Sequence, residues 1–280
     1  MTYSIVARDE RTGELGGAVQ SRAFRAGAVV TWAAPGVGVV ASQAFGERSY
    51  GPLGLELMRS GKTPEQALAA LRVADPVADS RQVTMLAADG SVAAFTGADC
   101  IPAAGDRQAA GVSAQANCVE SAAVWESMVD AFAGSSGSLA RRLLAALEAA
   151  EAAGGDWRGR QAAGIRVVAA EGQPWETVCD LRVDDHPEPL AELDRLLSLH
   201  EGYNAIGEVD DSLEIARGAG MTALDLRFAE IYDAGRKGEF ERGRELVAAL
   251  VGEDPRWRGY LLALARLEHL PHADELLPEE

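Results

Sequence analysis

The sequence contains little cysteine and histidine, the residues that build most metal and redox centres. Its 280 residues include 3 cysteines and 4 histidines, and no two cysteines form a Cys-x-x-Cys pair. Three widely spaced cysteines are typical of a protein from a reducing compartment and do not indicate a zinc site. The run Asp184-Asp185-His186 precedes a helix that starts with proline, a position where aspartate usually caps the helix. We therefore expect no metal and no cofactor.

Positive charge is also scarce. The chain has 26 lysines and arginines against 43 aspartates and glutamates, a formal net charge of −17. This balance argues against binding to nucleic acid or to an anionic membrane surface. The sequence has no basic segment followed by an apolar signal region, and no apolar run long enough to cross a bilayer. We expect a cytoplasmic protein with neither nucleic acid nor membrane among its partners.

The apolar pattern predicts strands and paired helices in successive blocks. Four strands come first, followed by two helices, several strands, two helices, two strands and one helix. Paired helices between blocks of antiparallel strands predict an α+β fold in which helices cover two stacked sheets. Single strand–helix–strand alternation is missing, which argues against a doubly wound nucleotide-binding fold. The predicted strands cover 2–8, 15–22, 28–33, 37–44, 82–87, 92–96, 111–116, 165–169 and 178–183.

The amino-acid composition and the apolar pattern change after residue 200, and this change predicts the domain organisation. Residues 1–200 contain the predicted sheets and helices, whereas residues 201–220 are polar and mixed, as in a linker. Residues 221–280 show three segments with apolar residues at helical spacing, which predicts a small all-α domain. We therefore expect two domains joined by a linker at 201–220.

The first candidate for chemistry is at the N-terminus. An initiator methionine is normally removed when the next residue is small, so Thr2 would become the first residue. Its hydroxyl would then be a nucleophile beside an α-amine whose ordinary pKa is about 7.7–8.0. Met-Thr is also a common start, and on these two residues alone that ordinary interpretation is favoured. Ser4 lies on the same strand face as Thr2 and is a candidate for substrate contact.

A second candidate is the glycine-rich run at 154–161. Its glycines allow the backbone to approach a ligand closely. Asp156 can orient a group or accept a proton, Arg158 can hold a carboxylate through two hydrogen bonds, and Gln161 adds an amide. The alternative is a helix end followed by a tight charged turn, and the sequence leaves both interpretations open.

Polar residues at the ends of apolar strands form a third set of candidates. Gln20 and Arg22 close one predicted strand, and Ser42 and Gln43 close another. Asn117 follows a third strand, where its amide can stabilise an oxyanion. Each of these residues has an ordinary alternative role in a turn or as a hydrogen-bonded strand end.

Several separated segments keep the order of motifs known from one protein family. They are 2–9, 13–16, 19–22, 42–44, 50–51, 95–97, 154–161 and 180–186. In these segments, about residues 1–200 resemble an uncharacterised family, domain of unknown function 1028, which is grouped with the N-terminal-nucleophile (Ntn) hydrolases. The remaining residues resemble, more weakly, a helical module of the peptidoglycan-binding type.

The resemblance implies a four-layer αββα sandwich with a nucleophile at the first residue of a strand. Carried onto this sequence, Thr2 becomes the nucleophile and supplies the base through its own α-amine. The Ser42–Gln43 backbone becomes a candidate oxyanion donor, with Asn117 as a second donor. The implied activity is hydrolysis of a small amide, ureide or lactam.

The sequence departs from the proteasome-type pattern at several positions. The position of a catalytic aspartate holds Gln20, and the two lysines, Lys62 and Lys237, are outside the matching strand. Arg22 is the candidate for the missing positive charge. Because of these departures, a non-catalytic binding or scaffold protein on the same fold stays open as the alternative.

We also expect a homodimer through the N-terminal domain. Three large apolar residues, Trp125, Met128 and Phe132, lie on one predicted helix. Members of the superfamily commonly associate.

Overall fold

The computed structural model describes residues 2–206, 208–209 and 211–277. The chain divides into two compact units, the first ending at Asp194 and the second beginning at Arg195. Each unit has its own apolar core.

The described residues of the first unit form ten strands in two antiparallel sheets. The six-stranded sheet has the order β10-β9-β2-β1-β8-β7, so β1 is flanked by β2 and β8. The four-stranded sheet has the order β3-β4-β5-β6. The strands are β1 (Thr2–Arg8), β2 (Leu15–Ser21), β3 (Thr31–Ala34), β4 (Gly38–Ala44), β5 (Arg81–Ala87), β6 (Val92–Thr96), β7 (Ala104–Ala109), β8 (Val112–Asn117), β9 (Ala162–Val168) and β10 (Cys179–Val183).

Among the described residues, helices connect the sheets in pairs and then make up the second unit. Short 3₁₀ turns at Ala26–Ala28 and Ala78–Ser80 precede β3 and β5. The α-helices are α1 (Tyr50–Arg59), α2 (Pro64–Ala74), α3 (Ala123–Gly134), α4 (Leu139–Ala152), α5 (Pro189–Ala205), α6 (Ser212–Gly218), α7 (Ala223–Lys237), α8 (Phe240–Glu253), α9 (Arg256–Arg266) and α10 (Ala273–Leu276). No helix in these described ranges has the length and apolar character needed to cross a bilayer.

The two sheets pack face to face through an apolar layer. Val6 and Val19 from the six-stranded sheet meet Val39, Ala41 and Leu86 from the four-stranded sheet in one buried cluster. Side chains alternate along a strand, so the other face of each sheet needs its own cover. Helices α1 and α2 cover the four-stranded sheet, and α3 and α4 cover the six-stranded sheet. The predicted α+β class is therefore confirmed.

The sequence prediction missed strand β7. Its residues Ala104–Ala109 are only partly buried or exposed, and it forms an edge of the six-stranded sheet. An edge strand with a polar sequence lacks the apolar alternation from which strands are predicted. Backbone pairing with β8 holds it in place.

The predicted linker at 201–220 contains helical structure. Helix α5 continues to Ala205, and α6 occupies Ser212–Gly218. Ala216, Ala219 and Met221 are buried in a small apolar cluster with Leu199 and other neighbours. Within 201–220 the buried members of this cluster are alanines, which give little apolar signal in the sequence.

The apolar residues that suggested a homodimer are partly used inside the first unit. Met128 and Phe132 on α3 are 0% and 4% exposed, respectively, whereas Trp125 is half-buried against Gly105. The homodimer stays a prediction, but Met128 and Phe132 no longer support it.

The packing of α1 against β3 leads to a stability prediction. A methyl group on Gly51 would overlap Cδ2 of the Trp32 indole ring. We expect Gly51→Ala to lower the free energy of unfolding by about 1–3 kcal/mol, because the indole ring has to move in a packed layer. Urea unfolding measures this change. The control is Gly134→Ala, where a methyl group meets no atom within 4 Å and alanine should be neutral or slightly stabilising. Equal losses in both variants would contradict the packing argument.

Candidate active site

Thr2 is the first residue of β1, a strand inside the six-stranded sheet. Across the ladder it pairs with Asn117, the last residue of β8. Ser21 ends β2 on the other side, and its Oγ lies 2.9 Å from Oγ1 of Thr2. Thr2 is 5% exposed and Ser21 is fully buried. One end of the sheet therefore brings together a hydroxyl pair and an amide from three strands.

Arg158 connects this hydroxyl pair to a buried carboxylate. Its Nη2 lies 3.5 Å from Ser21 Oγ and 2.9 Å from Asp156 Oδ2. The Asp156 side chain has no exposed surface, while that of Arg158 is one-third exposed. The carboxylate also accepts the backbone N–H groups of Arg22 and Arg158. Asp156 therefore orients Arg158 and the end of β2, and Arg158 brings positive charge to Ser21.

The glycine-rich turn places Asp156 at this end of the sheet. Gly154 and Gly155 end α4 with φ values of +119° and +55°, a region that favours glycine. A methyl group on Gly154 would also lie 2.7 Å from Cβ of Glu120. The turn then brings Asp156 into a backbone bridge with Val119, just after β8. The interpretation as a helix end followed by a tight charged turn is therefore met in the structure, and the use of this run in chemistry stays a prediction.

Arg22 and Gln161 lie farther out, on the exposed side of the same region. Arg22 Nη1 donates to Gln161 Oε1 at 2.7 Å, and Gln161 Nε2 donates to Asp185 Oδ1 at 3.0 Å. Among the described residues, Arg22 forms no ion pair. Its backbone N–H is bound by Asp156, so its main chain is fixed while its guanidinium faces solvent.

Behind Thr2, a group of buried amides joins the two sheets. Gln43 Nε2 donates to the backbone carbonyl of Thr2 at 3.0 Å and to Gln82 Oε1 at 2.7 Å. Ser4 Oγ donates to Gln43 Oε1 at 2.7 Å. Thr84 and Gln115 continue the chain of hydrogen bonds, with Thr84 Oγ1 donating to Gln115 Oε1 at 2.8 Å. We call Ser4, Gln43, Gln82, Thr84, Gln115 and Asn117 the amide network.

Gln82 is the centre of the amide network. Its Oε1 accepts from Gln43 and from Asn117 Nδ2, the latter at 3.0 Å. Its Nε2 lies 2.9 Å from the carbonyl oxygen of Ala116 and 3.1 Å from that of Gly105. Gln82 therefore binds side chains of both sheets and the backbone at the end of β8. A buried amide is tolerated when its polar atoms are paired in this way.

Two predicted roles change in the structure. Gln43 binds the Thr2 carbonyl and Ser4 binds Gln43, so both residues position Thr2 from behind. The Ser42 backbone N–H donates to the carbonyl of Val30, and its Oγ donates to that of Glu47. The Ser42 amide is therefore not a free oxyanion donor. Asn117 uses one amide hydrogen on Gln82, and the strand register places Asn117 opposite Thr2.

Gln20 lies on the opposite side of the sheet from Thr2. It pairs across the ladder with Tyr3, and directly opposed residues share a face. Tyr3 OH donates to Glu151 on α4 at 2.5 Å, which identifies this face as the one covered by helices. Burial, reinforced by the Glu151 carboxylate, raises the pKa of Tyr3 well above its ordinary value. Gln20 is fully buried there, and neither of its polar side-chain atoms has a partner among the described residues.

The sequence prediction did not identify Ser21 and Gln82 as site residues. Ser21 lies between Gln20 and Arg22, which were both selected, but only Ser21 shares a face with Thr2. Gln82 alternates with buried apolar residues on β5, a pattern that also fits a strand with one exposed face. The order of helices and sheets predicted stacked sheets but did not indicate which polar strand residues lie between them.

Comparisons with known proteins assign the first unit to one protein family. Residues 2–193 match a family described as a family of unknown function, DUF1028. The crystal structure of protein SPO2555 from Silicibacter pomeroyi, assigned to the same family, is similar with a TM-score of 0.65 and 33% sequence identity. The similarity covers 70% of this chain and 87% of that one. No curated protein matches the chain.

The contrast between Gln82 and Gln20 leads to a second stability prediction. Both are fully buried strand residues, but only Gln82 is hydrogen-bonded. We expect Gln82→Leu to lower the free energy of unfolding by about 3 kcal/mol or more, because its partners lose their hydrogen bonds inside the protein. Gln20→Leu should be neutral or stabilise by about 1 kcal/mol, because leucine removes two unpaired polar atoms.

Urea unfolding of the two variants, measured beside Gln108→Leu, tests this prediction. Gln108 is an exposed strand residue on β7, so its replacement controls for the loss of a strand glutamine. Similar losses for Gln82→Leu and Gln20→Leu would show that the amide network does not stabilise the space between the sheets.

Proposed function

The chain belongs to the family of unknown function DUF1028, and from this starting point we propose that its first unit is an N-terminal-nucleophile amidohydrolase. The substrate class is a small amide, ureide or lactam, and Thr2 is the nucleophile. The observation that carries the proposal is the hydroxyl pair of Thr2 and Ser21, 2.9 Å apart, at the start of β1. Arg158 and Asp156 support this pair from one side.

The layering of the first unit supports the proposal. Two stacked antiparallel sheets with a helical pair on each outer face fit the αββα sandwich of the Ntn hydrolases. In that arrangement the nucleophile is at the beginning of an inner strand, where its side chain and its α-amine are next to each other. Thr2 has this position on β1.

The proposed reaction needs removal of Met1, so that Thr2 carries a free α-amine. The Thr2 hydroxyl oxygen attacks the carbonyl carbon while its proton passes to the amine. The second amide hydrogen of Asn117 stabilises the resulting oxyanion. The C–N bond then breaks, and the ammonium group returns its proton to the leaving nitrogen. Water hydrolyses the acyl ester on Thr2 by the same proton route.

Nearby positive charge keeps the amine in its reactive form. Ser21 accepts from Arg158 and contacts the Thr2 hydroxyl, so the guanidinium is two hydrogen bonds from the nucleophile. A cation at this range disfavours the ammonium form of the amine and stabilises negative charge on Oγ1, and its ion pair with Asp156 reduces this effect. Arg158 takes the role that the sequence assigned to Arg22. Arg22 lies at the exposed rim, where it can bind an anionic group of the substrate.

A second candidate is a non-catalytic binding or scaffold protein on this fold. The absence of lysine from the first 61 residues favours it, since a lysine next to the nucleophile is part of the proteasome-type pattern. A free Thr2 amine found by intact-mass measurement favours the enzyme, and a retained Met1 favours the scaffold.

We expect Thr2→Ala to abolish turnover and Thr2→Ser to retain part of the rate, because serine keeps the hydroxyl nucleophile. Untagged protein is first screened against small amides, ureides and lactams by release of amine or ammonia. An uncleavable N-terminal tag should abolish turnover as completely as Thr2→Ala, because it blocks the α-amine.

The matched control is Thr12→Ala, which removes a threonine hydroxyl from an exposed turn and should leave the rate unchanged. Ser21→Ala should lower kcat more than it changes KM, since Ser21 contacts the nucleophile. A tagged protein that turns over substrate at the untagged rate would refute this mechanism.

We also propose that the first unit forms a homodimer through α3 and the edge strand β7, where Trp125 is partly exposed. Edge strands offer unpaired backbone groups to a second copy. Light scattering at micromolar concentration should give about twice the chain mass of 29.5 kDa. The mass of a single chain under these conditions would contradict the dimer.

A further inference from the structure

The second unit contains a cavity of about 850 Å³ that the proposed hydrolase reaction does not use. Cavities of about 300–1,000 Å³ are typical of sites for small ligands. Aromatic side chains dominate the wall, with contributions from α5, α7 and α9. The aromatic residues are Tyr203, Phe228, Tyr232, Trp257 and Tyr260.

The aromatic rings meet at large angles. Phe228 and Tyr260 have centroids 6.0 Å apart and planes inclined by 51°. Trp257 and Tyr260 are 5.6 Å apart with planes inclined by 79°. Rings inclined in this way form adjoining walls, whereas coplanar rings would form a flat platform. The electron-rich faces of such walls attract a compact cation.

The polar residues of the cavity wall include two carboxylates, Asp225 and Asp254, together with Arg256 and His269. Asp225 accepts the hydroxyl of Thr222 at 2.5 Å, and this bond lowers the pKa of Asp225, with a further contribution from the Tyr203 hydroxyl. Asp225 is therefore ionised at neutral pH. Asp254 is also in the wall, paired with Arg256. This ion pair carries no net charge, so Arg256 does not balance the negative charge of Asp225.

The C-terminal residues 201–280 as a whole carry a negative net charge, as Asp225 does. Residues 201–280 contain 18 acidic and 9 basic residues, a difference of −9. An excess of this size raises the local concentration of cations and excludes anions. The electrostatic field of this negative charge disfavours binding of an acidic ligand, and it neither favours nor disfavours binding of an uncharged sugar or hydrocarbon.

We propose that this cavity binds an organic cation of the quaternary ammonium class, held by the faces of Trp257 and Tyr260 and by the carboxylate of Asp225. The rings attract the positive charge and cover its methyl groups, and the carboxylate supplies the opposite charge. A cation over an aromatic face gains about 0.5–2 kcal/mol per contact. The site depends on contacts within the second unit and is independent of the proposed activity at Thr2.

The test compares choline with its uncharged analogue 3,3-dimethylbutan-1-ol by calorimetric titration into the full-length protein. The two molecules have nearly the same shape and differ in charge. We expect choline to bind at least tenfold more tightly, and its binding to weaken as salt is raised. Equal binding of both, or no binding of choline at millimolar concentration, would overturn the proposal, as would a second copy of the chain covering the cavity.

Two variants separate ring and carboxylate contributions. Tyr260→Leu and Asp225→Asn should each weaken choline binding at least fivefold. Tyr260→Phe should bind choline as the unchanged protein does, because phenylalanine keeps the ring face. The matched controls are Trp175→Leu, an exposed aromatic residue in the first unit, and Glu241→Gln, an exposed acid on α8. Thermal unfolding checks that every variant is folded. Loss of binding in the controls, or its persistence in both test variants, would assign choline to another site.

Discussion

The structure of the first unit depends on one constraint, the need to pair every amide that is buried between the two sheets. An amide without a partner in this space would cost about 1–3 kcal/mol, so the glutamines define which strand positions face each other. Gln82 meets this requirement by binding Gln43, Asn117 and the β8 backbone at once. Because Gln43 also holds the Thr2 carbonyl, the same network determines where β1 begins.

The candidate site is built in front of that network from separate segments. β1, β2 and β8 supply Thr2, Ser21 and Asn117 at one end of a sheet. The turn after α4 supplies Asp156 and Arg158, and Arg158 lies 137 residues beyond its partner Ser21 in the chain. Asp156 has no exposed side-chain surface, and its backbone and arginine partners compensate for its burial. A buried carboxylate that holds an arginine against a hydroxyl pair is a fixed electrostatic element, suited to stabilising charge on that pair.

Particular residues show how far the sequence predicted the site. Thr2, Asn117, Asp156 and Arg158 were selected from strand ends and the glycine-rich run, and the structure brings them to the same end of the first unit. Gln20 was selected with them, but strand alternation turns it toward the helices. Ser21, one residue farther, has the contact with Thr2. A shift of one residue on a strand reverses the face, and the sequence contains no marker for which face carries the chemistry.

The sequence by itself determined the α+β class, most of the strands and helices, the resemblance to the family and the turn at Gly154 and Gly155. These features depend on local periodicity and on the conformational freedom of glycine, and both are present in neighbouring residues. Only the tertiary structure decided that Gln82 is internal, that Arg158 rather than Arg22 lies next to the hydroxyl pair, and that Ser42 is already bonded. Each of these depends on which surfaces of distant segments meet. The packing of distant segments against each other decides which side chains are buried and which are hydrogen-bonded, and no local sequence pattern specifies that packing.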